Sequence, residues 1–203
     1  MYYILKRLFD ITLSLTGIII SSPLWIIISL LIWMNDKGPV FYSQKRVGKD
    51  GRQFNTLKFR TMIPESDKMF GPLQAEEDDK RVTKVGRYLR NSAMDELPQL
   101  LSIFKGDMSF VGPRALLPSE IEVEGSEDIP MEKIQGYSER QSVLPGLTGI
   151  AQIYAPRDIS RRNKFRYDRI YIKNQSFCLD LKLIFLSFWI TFRGTWESRT
   201  KKF

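Results

Sequence analysis

The chain has 203 residues, 43% hydrophobic and 27% charged, which suits one packed domain with or without an anchor and excludes global disorder. Histidine is absent and Cys178 is the one cysteine, which excludes Ser-His-Asp and Cys-His catalysis, zinc sites built on His or several Cys, and any intramolecular disulfide. The formal charge is +8, but Glu120 to Glu132 hold six acids and no base. The rest of the chain therefore carries all 31 bases against 17 acids, a basic body suited to nucleic acid, anionic lipid or a phosphorylated substrate.

Residues 11–34 form an uncharged run between Asp10 and Asp36. A straight helix of that length reaches ~36 Å, enough to cross a hydrocarbon core. Ser21-Ser22-Pro23 sits at its middle, where proline removes a backbone donor. Lys6 and Arg7 precede the run, and Lys37, Lys45, Arg46, Lys49 and Arg52 follow it. The positive-inside rule puts both ends in the cytoplasm, which favours a re-entrant helix-break-helix over a spanning helix. Residues 1–36 are therefore expected as a membrane anchor and 37–203 as a separate domain on the cytoplasmic face.

Val40-Phe41-Tyr42 and Phe54 to Phe59 read as strands of a β-hairpin around Gly48-Lys49-Asp50-Gly51. Pro64 to Pro72 reads as loop and Glu76 to Asp79 as a solvated helix start. Val82 to Arg90 reads as helix, and Leu97, Leu100, Leu101 and Phe104 share one face of another that ends at Gly106. The acidic stretch and Pro145 to Gly149 read as irregular, and Arg161 to Ile172 as helix. Segment 181–196 carries Phe185, Phe188, Trp189 and Phe192, an aromatic content suited to a membrane interface. The expected fold class is mixed α/β with helix dominant.

Chemistry concentrates in Asp95-Glu96-Leu97-Pro98-Gln99-Leu100. Pro98 is tolerated in a first helical turn, so a helix should start near Asp95, with both carboxylates at its positive end. Such residues are commonly caps, but here Lys84, Arg87, Arg90, Lys58, Arg60 and Arg114 accompany them. Cations around two carboxylates suit phosphoryl transfer, in which a carboxylate can be the nucleophile, and adjacent carboxylates offer oxygen ligands to Mg²⁺. A membrane-tethered basic module for anionic lipid or nucleic acid is the competing reading, and it leaves the dyad without a task.

The chain resembles the bacterial sugar transferases, the monotopic polyprenol-phosphate phosphoglycosyl transferases in their small catalytic-core form. The resemblance rests on Lys6-Arg7, Ser22-Pro23, Lys58-Phe59-Arg60-Thr61-Met62, the Asp95 to Leu100 segment, Lys105 to Ser109, Val111-Gly112-Pro113-Arg114 and Pro145 to Gly149, in that order. It implies transfer of a sugar-1-phosphate from a nucleoside diphosphate sugar, usually UDP-linked, to polyprenol phosphate on the cytoplasmic face of a bacterial membrane. It implies Mg²⁺, a re-entrant anchor, Asp95 as nucleophile with release of UMP, and Glu96 as a metal-positioning or proton-handling partner. Membrane lipid is then a partner and nucleic acid is not; a homo-oligomer stays open. The chain departs from the family at Ala115, where Pro-Arg-Pro is usual, and at Leu144, where arginine is usual and Arg140 is the nearest substitute. Lys58, Arg60, Arg87, Arg90, Arg114 and Arg140 are the expected substrate-binding residues.

Overall fold

The computed structural model describes residues 1–66, 79–124, 127–156 and 159–193. Helix α1 runs from Tyr2 to Asp36. Its backbone is helical through Pro23, so the two helices expected on either side of Ser22-Pro23 are one element. The reason lies in the serines. Pro23 has no N–H for the carbonyl of Ile19, and the Ser22 hydroxyl donates to that oxygen at 2.9 Å. Ser21 donates to Gly17 O at 2.6 Å and accepts from Trp25 Nε1 at 2.9 Å.

One face of α1 lies along the rest of the protein for its whole length. Near its start Lys6 pairs with Asp180 at 2.7 Å, and Tyr2 donates to the same carboxylate at 2.8 Å. At its end Asp36 pairs with Arg60 at 2.5 Å. Between them Gly17 meets Leu100, and Ile28 and Ile32 share a buried cluster with Phe59 and Leu89. The opposite face exposes Ile4, Leu8, Ile19, Ile20, Ile26 and Leu30. The helix is long and apolar enough to cross a membrane.

Strands β1 (Phe41–Val47) and β2 (Gln53–Phe59) form the expected antiparallel hairpin, with β1 reaching further than Tyr42. Its turn places Asp50 and Gly51 at positive φ. Helix α2 (Lys84–Asn91) is capped by the Thr83 hydroxyl, which accepts from Gly86 N, and packs Val85 and Leu89 against α1. A 3₁₀ turn (Met94–Gln99) leads into α3 (Leu100–Lys105), whose buried face is Leu100 and Ile103; Phe104, expected on that face, is exposed.

Strand β3 (Ser109–Val111) pairs in parallel with β6 (Gly146–Thr148), so Pro145 to Gly149 is not irregular as expected. The backbones approach so closely that a Cβ on Gly146 would lie 2.0 Å from Gly112 N. Glycine alone fits there. Within the acidic stretch β4 (Ile121–Glu124) and β5 (Glu127–Pro130) pair antiparallel, where irregular structure was expected. Ile121, Glu122, Val123 and Glu124 alternate with the strand period, and Ile129 packs on the Leu116, Met131 and Phe165 cluster. Helices α4 (Tyr137–Gln141), α5 (Ile150–Tyr154), α6 (Arg161–Lys173) and α7 (Phe177–Phe192) complete the body. Helix α7 buries Leu183 and Ile190 and exposes Leu181, Phe185, Phe188, Trp189 and Phe192. Most of Pro64 to Pro72, Glu76 to Asp79 and the end of segment 181–196 lie outside the described residues. The class is mixed α/β with helix dominant, as expected.

Candidate active site

The hairpin register sets one wall of a cleft. Gln44 stands opposite Thr56 and Arg46 opposite Phe54, so Arg46, Thr56 and Lys58 project from one face. The 3₁₀ turn packs across that face and adds Glu96 and Gln99; Arg114, Ala115, Gly146 and Leu147 close the other side. The cleft holds about 300 Å³ of empty space, part of it open to solvent.

The dyad begins from a strained residue. Ala93 has φ 53°, a left-handed conformation that costs an ordinary residue about 1–2 kcal/mol. That kink ends α2 and turns the chain so that Asp95 and Glu96 open the next helical turn, with Glu96 N donating to Ala93 O at 3.2 Å. Asp95 is half-buried in this first turn, one residue ahead of the cleft lining. Pro98 is buried behind it. The expected start near Asp95 is met within one residue, as 3₁₀ rather than α-helix.

Lys58 donates to Glu96 Oε1 at 2.5 Å, with the carboxylate side chain 12% exposed. Burial pushes the Glu96 carboxyl up, but Lys58, then Arg114, and hydrogen bonds from Lys58 and Gln99 outweigh it and bring it down to about 2. Glu96 is thus ionised throughout the physiological range, suited to holding a cation and unsuited to giving up a proton. Arg46 is brought down to about 10 by burial and by the like charge of Arg114. It remains a cation. Arg46 and Gln99 were missed as site residues; in the sequence Arg46 counts only among the charges flanking the apolar run.

The other expected residues are spread wider. Arg114 is exposed in the cleft between buried Pro113 and Ala115. Arg87 is exposed on the outer surface of α2, and Arg90 is half-buried on the same helix. Arg60 is 6% exposed and committed to Asp36 at the end of α1. Arg140 is buried against Asp168, its Nε 3.2 Å from Oδ2. Lys6 and Arg7 bind the body: Arg7 donates to Ile103 O at 2.7 Å and Phe104 O at 2.8 Å, carbonyls in the last turn of α3.

Known proteins share this arrangement of sequence. The exopolysaccharide production protein ExoY of Sinorhizobium fredii is 37% identical over 194 residues, 89% of this chain and 82% of that protein. UDP-glucose:undecaprenyl-phosphate glucose-1-phosphate transferase of Klebsiella pneumoniae is 40% identical over 190 residues, 91% of this chain and 39% of that protein. UDP-N-acetylgalactosamine-undecaprenyl-phosphate N-acetylgalactosaminephosphotransferase of Aeromonas hydrophila is 38% identical over 187 residues, 91% of this chain and 43% of that protein. The chain thus spans most of ExoY and less than half of the other two. The family described as bacterial sugar transferase matches residues 1–194, a range that takes in α1, the dyad and every wall of the cleft. The chain belongs to the bacterial sugar transferase family.

Proposed function

We propose that this sugar transferase moves a sugar-1-phosphate from a UDP-sugar to polyprenol phosphate in two displacements at Asp95. In the first, an Asp95 carboxylate oxygen attacks the sugar-bearing phosphorus, the bond to the bridging oxygen breaks, and UMP leaves. In the second, a phosphate oxygen of polyprenol phosphate attacks the same phosphorus. The acyl-phosphate bond breaks, polyprenol diphosphate sugar forms, and Asp95 is restored. The observation that carries this reading is the cleft itself, where Lys58, Arg46 and Arg114 surround Glu96 beside Asp95. Cations so placed neutralise phosphate oxygens as charge redistributes at phosphorus. The relatives named for undecaprenyl phosphate support the acceptor, and their UDP-glucose and UDP-N-acetylgalactosamine donors support the nucleotide.

Mg²⁺ fits the donor set. Among the described residues no three potential ligands cluster at one point. Mg²⁺ is commonly held by one or two carboxylates, with waters and substrate phosphates completing its shell. Asp95 and Glu96 would hold it, and when bound it supplies charge neutralisation at the diphosphate. The apolar outer face of α1, the aromatic stripe on α7 and the attachment of both ends of α1 to one body support a re-entrant anchor on the cytoplasmic face. A helix fixed at both ends to the same domain does not leave that domain on one side and its own start on the other.

The decisive experiment is trapping. Enzyme incubated with UDP-sugar labelled in the sugar phosphate, without acceptor, should carry the label covalently and release an equivalent of UMP. Asp95→Asn should fold, partition with membranes and carry none. Label on the Asp95→Asn variant, or UMP release only when acceptor is present, overturns the covalent route.

A further inference from the structure

Arg114 combines an exposed side chain with a backbone tied down by hydrogen bonds on both sides. Four successive carbonyls around it each accept a hydrogen bond, from donors in three parts of the protein: β6, α4 and the adjacent β1 residues Arg46 and Val47. Pro113 O accepts from Gly146 N at 2.9 Å, and Leu116 O from Val47 N at 2.9 Å. The two carbonyls between them are taken by guanidinium groups: Arg140 Nη2 donates to Arg114 O at 2.6 Å, and Arg46 Nη1 to Ala115 O at 3.1 Å.

Arg140 is itself locked. Its Nε donates to Asp168 at 3.2 Å, and its guanidinium lies 4.5 Å over the Phe165 ring, both partners on α6. The pair is almost wholly buried, with side chains 4% and 5% exposed. Taking an ion pair out of water seldom stabilises a fold more than an apolar pair of the same volume would. The pair lies beneath Arg114, whose side chain is exposed in the cleft, which gives it a task beyond stability. Ala115 puts no proline ring after Arg114, and the guanidinium bonds fix the backbone there.

We propose that Arg140, oriented by Asp168, is a positioning residue that fixes the backbone of Arg114 and so aims its guanidinium at the reacting phosphate. It acts through Arg114 and does not touch substrate. The inference rests on the phosphoglycosyl transfer reading above. A displacement of about 1 Å at a group that contacts the reacting centre is enough to slow a reaction about a hundredfold.

The test replaces the pair by apolar residues of similar volume, Arg140→Met with Asp168→Leu, so that no buried charge is stranded. Arg140→Lys is the conservative control, since an ammonium can keep the pair but has no fork to span Asp168 and Arg114 O. UMP release from UDP-sugar should fall at least about tenfold in kcat in both, with the unfolding temperature of the double variant within a few degrees of wild type. Arg114→Gln should cost a similar factor in wild type and add less than about threefold in the double variant. Hydrogen exchange at the Gly146 and Val47 amides, which donate to the strip on either side of Arg114, should quicken in the double variant. Additive losses, full activity of Arg140→Lys, or unchanged exchange at both amides would overturn the proposal. If wild type released no UMP from any UDP-sugar, the reaction reading would fall, and the exchange measurement would still decide whether Arg140 fixes the strip.

Discussion

Arg7, in the second turn of the apolar N-terminal helix, donates to the carbonyl of Phe104 at the far end of the helix that the Asp95-Glu96 turn begins. A second bond to Ile103 O makes the contact a two-pronged C-terminal cap, and Gly106 at φ 97° leaves room for it. A cation here also complements the negative end of the helix. The N-terminal helix thus holds the Asp95-Glu96 turn from behind.

Removing that cap should loosen the turn. Arg7→Gln loses a charge-assisted interaction with two carbonyls and should cost about 1–3 kcal/mol of stability. Arg7→Lys should recover part of it, since charge returns without the fork. Thermal unfolding of the detergent-solubilised protein checks the order, and equal stability of all three would show that the cap is idle.

The Lys58–Glu96 pair makes a prediction about acid. Glu96 titrates near 4.5 when unfolded and at about 2 when folded, so its carboxylate contributes stability above about pH 5. That contribution is lost as pH falls from about 4.5 toward 2. In Lys58→Met, burial acts with less opposition and the Glu96 carboxyl rises. The stability difference between wild type and variant should therefore be greatest near pH 7 and shrink toward pH 2. A difference that does not vary with pH would separate Lys58 from Glu96 energetically.

Metal dependence follows from the same carboxylates. Chelation by EDTA should abolish UMP release, and Mg²⁺ should restore it. Glu96→Gln should raise the Mg²⁺ concentration needed for half-maximal activity, because one of the two anionic ligands proposed above becomes neutral. Undiminished turnover in excess EDTA would remove the metal from the reaction.

The aromatic stripe on α7 predicts depth at the bilayer. Phe188 is 70% exposed and Phe185 67%, one turn apart on the helix. Replacing both with Glu should leave unfolding temperature within a few degrees of wild type while weakening recovery with membranes and slowing transfer to a polyprenol acceptor. A tag on the N-terminus should be reached by probes from the same side as a tag on the body. Labelling of the two from opposite sides would overturn the re-entrant anchor.

Local signals in the chain marked most elements but not their assembly. The Gly48 to Gly51 turn between β-branched and aromatic runs located the hairpin, and Thr83 and Ser160 as caps account for the starts of α2 and α6. Arg46 was hidden because its role depends on register: only pairing opposite Phe54 turns it to the side of Lys58. The β3–β6 pair joins Ser109 to Gly146 through backbone contacts between glycines, which have no periodicity to read. Pro23 marked a real loss of a hydrogen bond, and the neighbouring Ser22 hydroxyl repairs it, so the helix persists where proline alone argued for a break. The basic residues were the least legible. A sequence gives each the same charge, and only packing separates Arg114 in the cleft from Arg87 on the surface and Arg140 in the core.

The bond between Lys6 and Asp180 has a consequence for biosynthesis. The two partners are 174 residues apart. At ribosomal speeds of about 5–20 residues per second, the start of the chain waits roughly 10 to 35 seconds for the carboxylate that will hold it. During that interval the apolar helix has emerged and has no protein surface to rest on. On the proposed membrane reading, lipid receives it first, and the domain then assembles against a helix already in contact with the bilayer. On that reading, translation order makes the membrane a template for the fold.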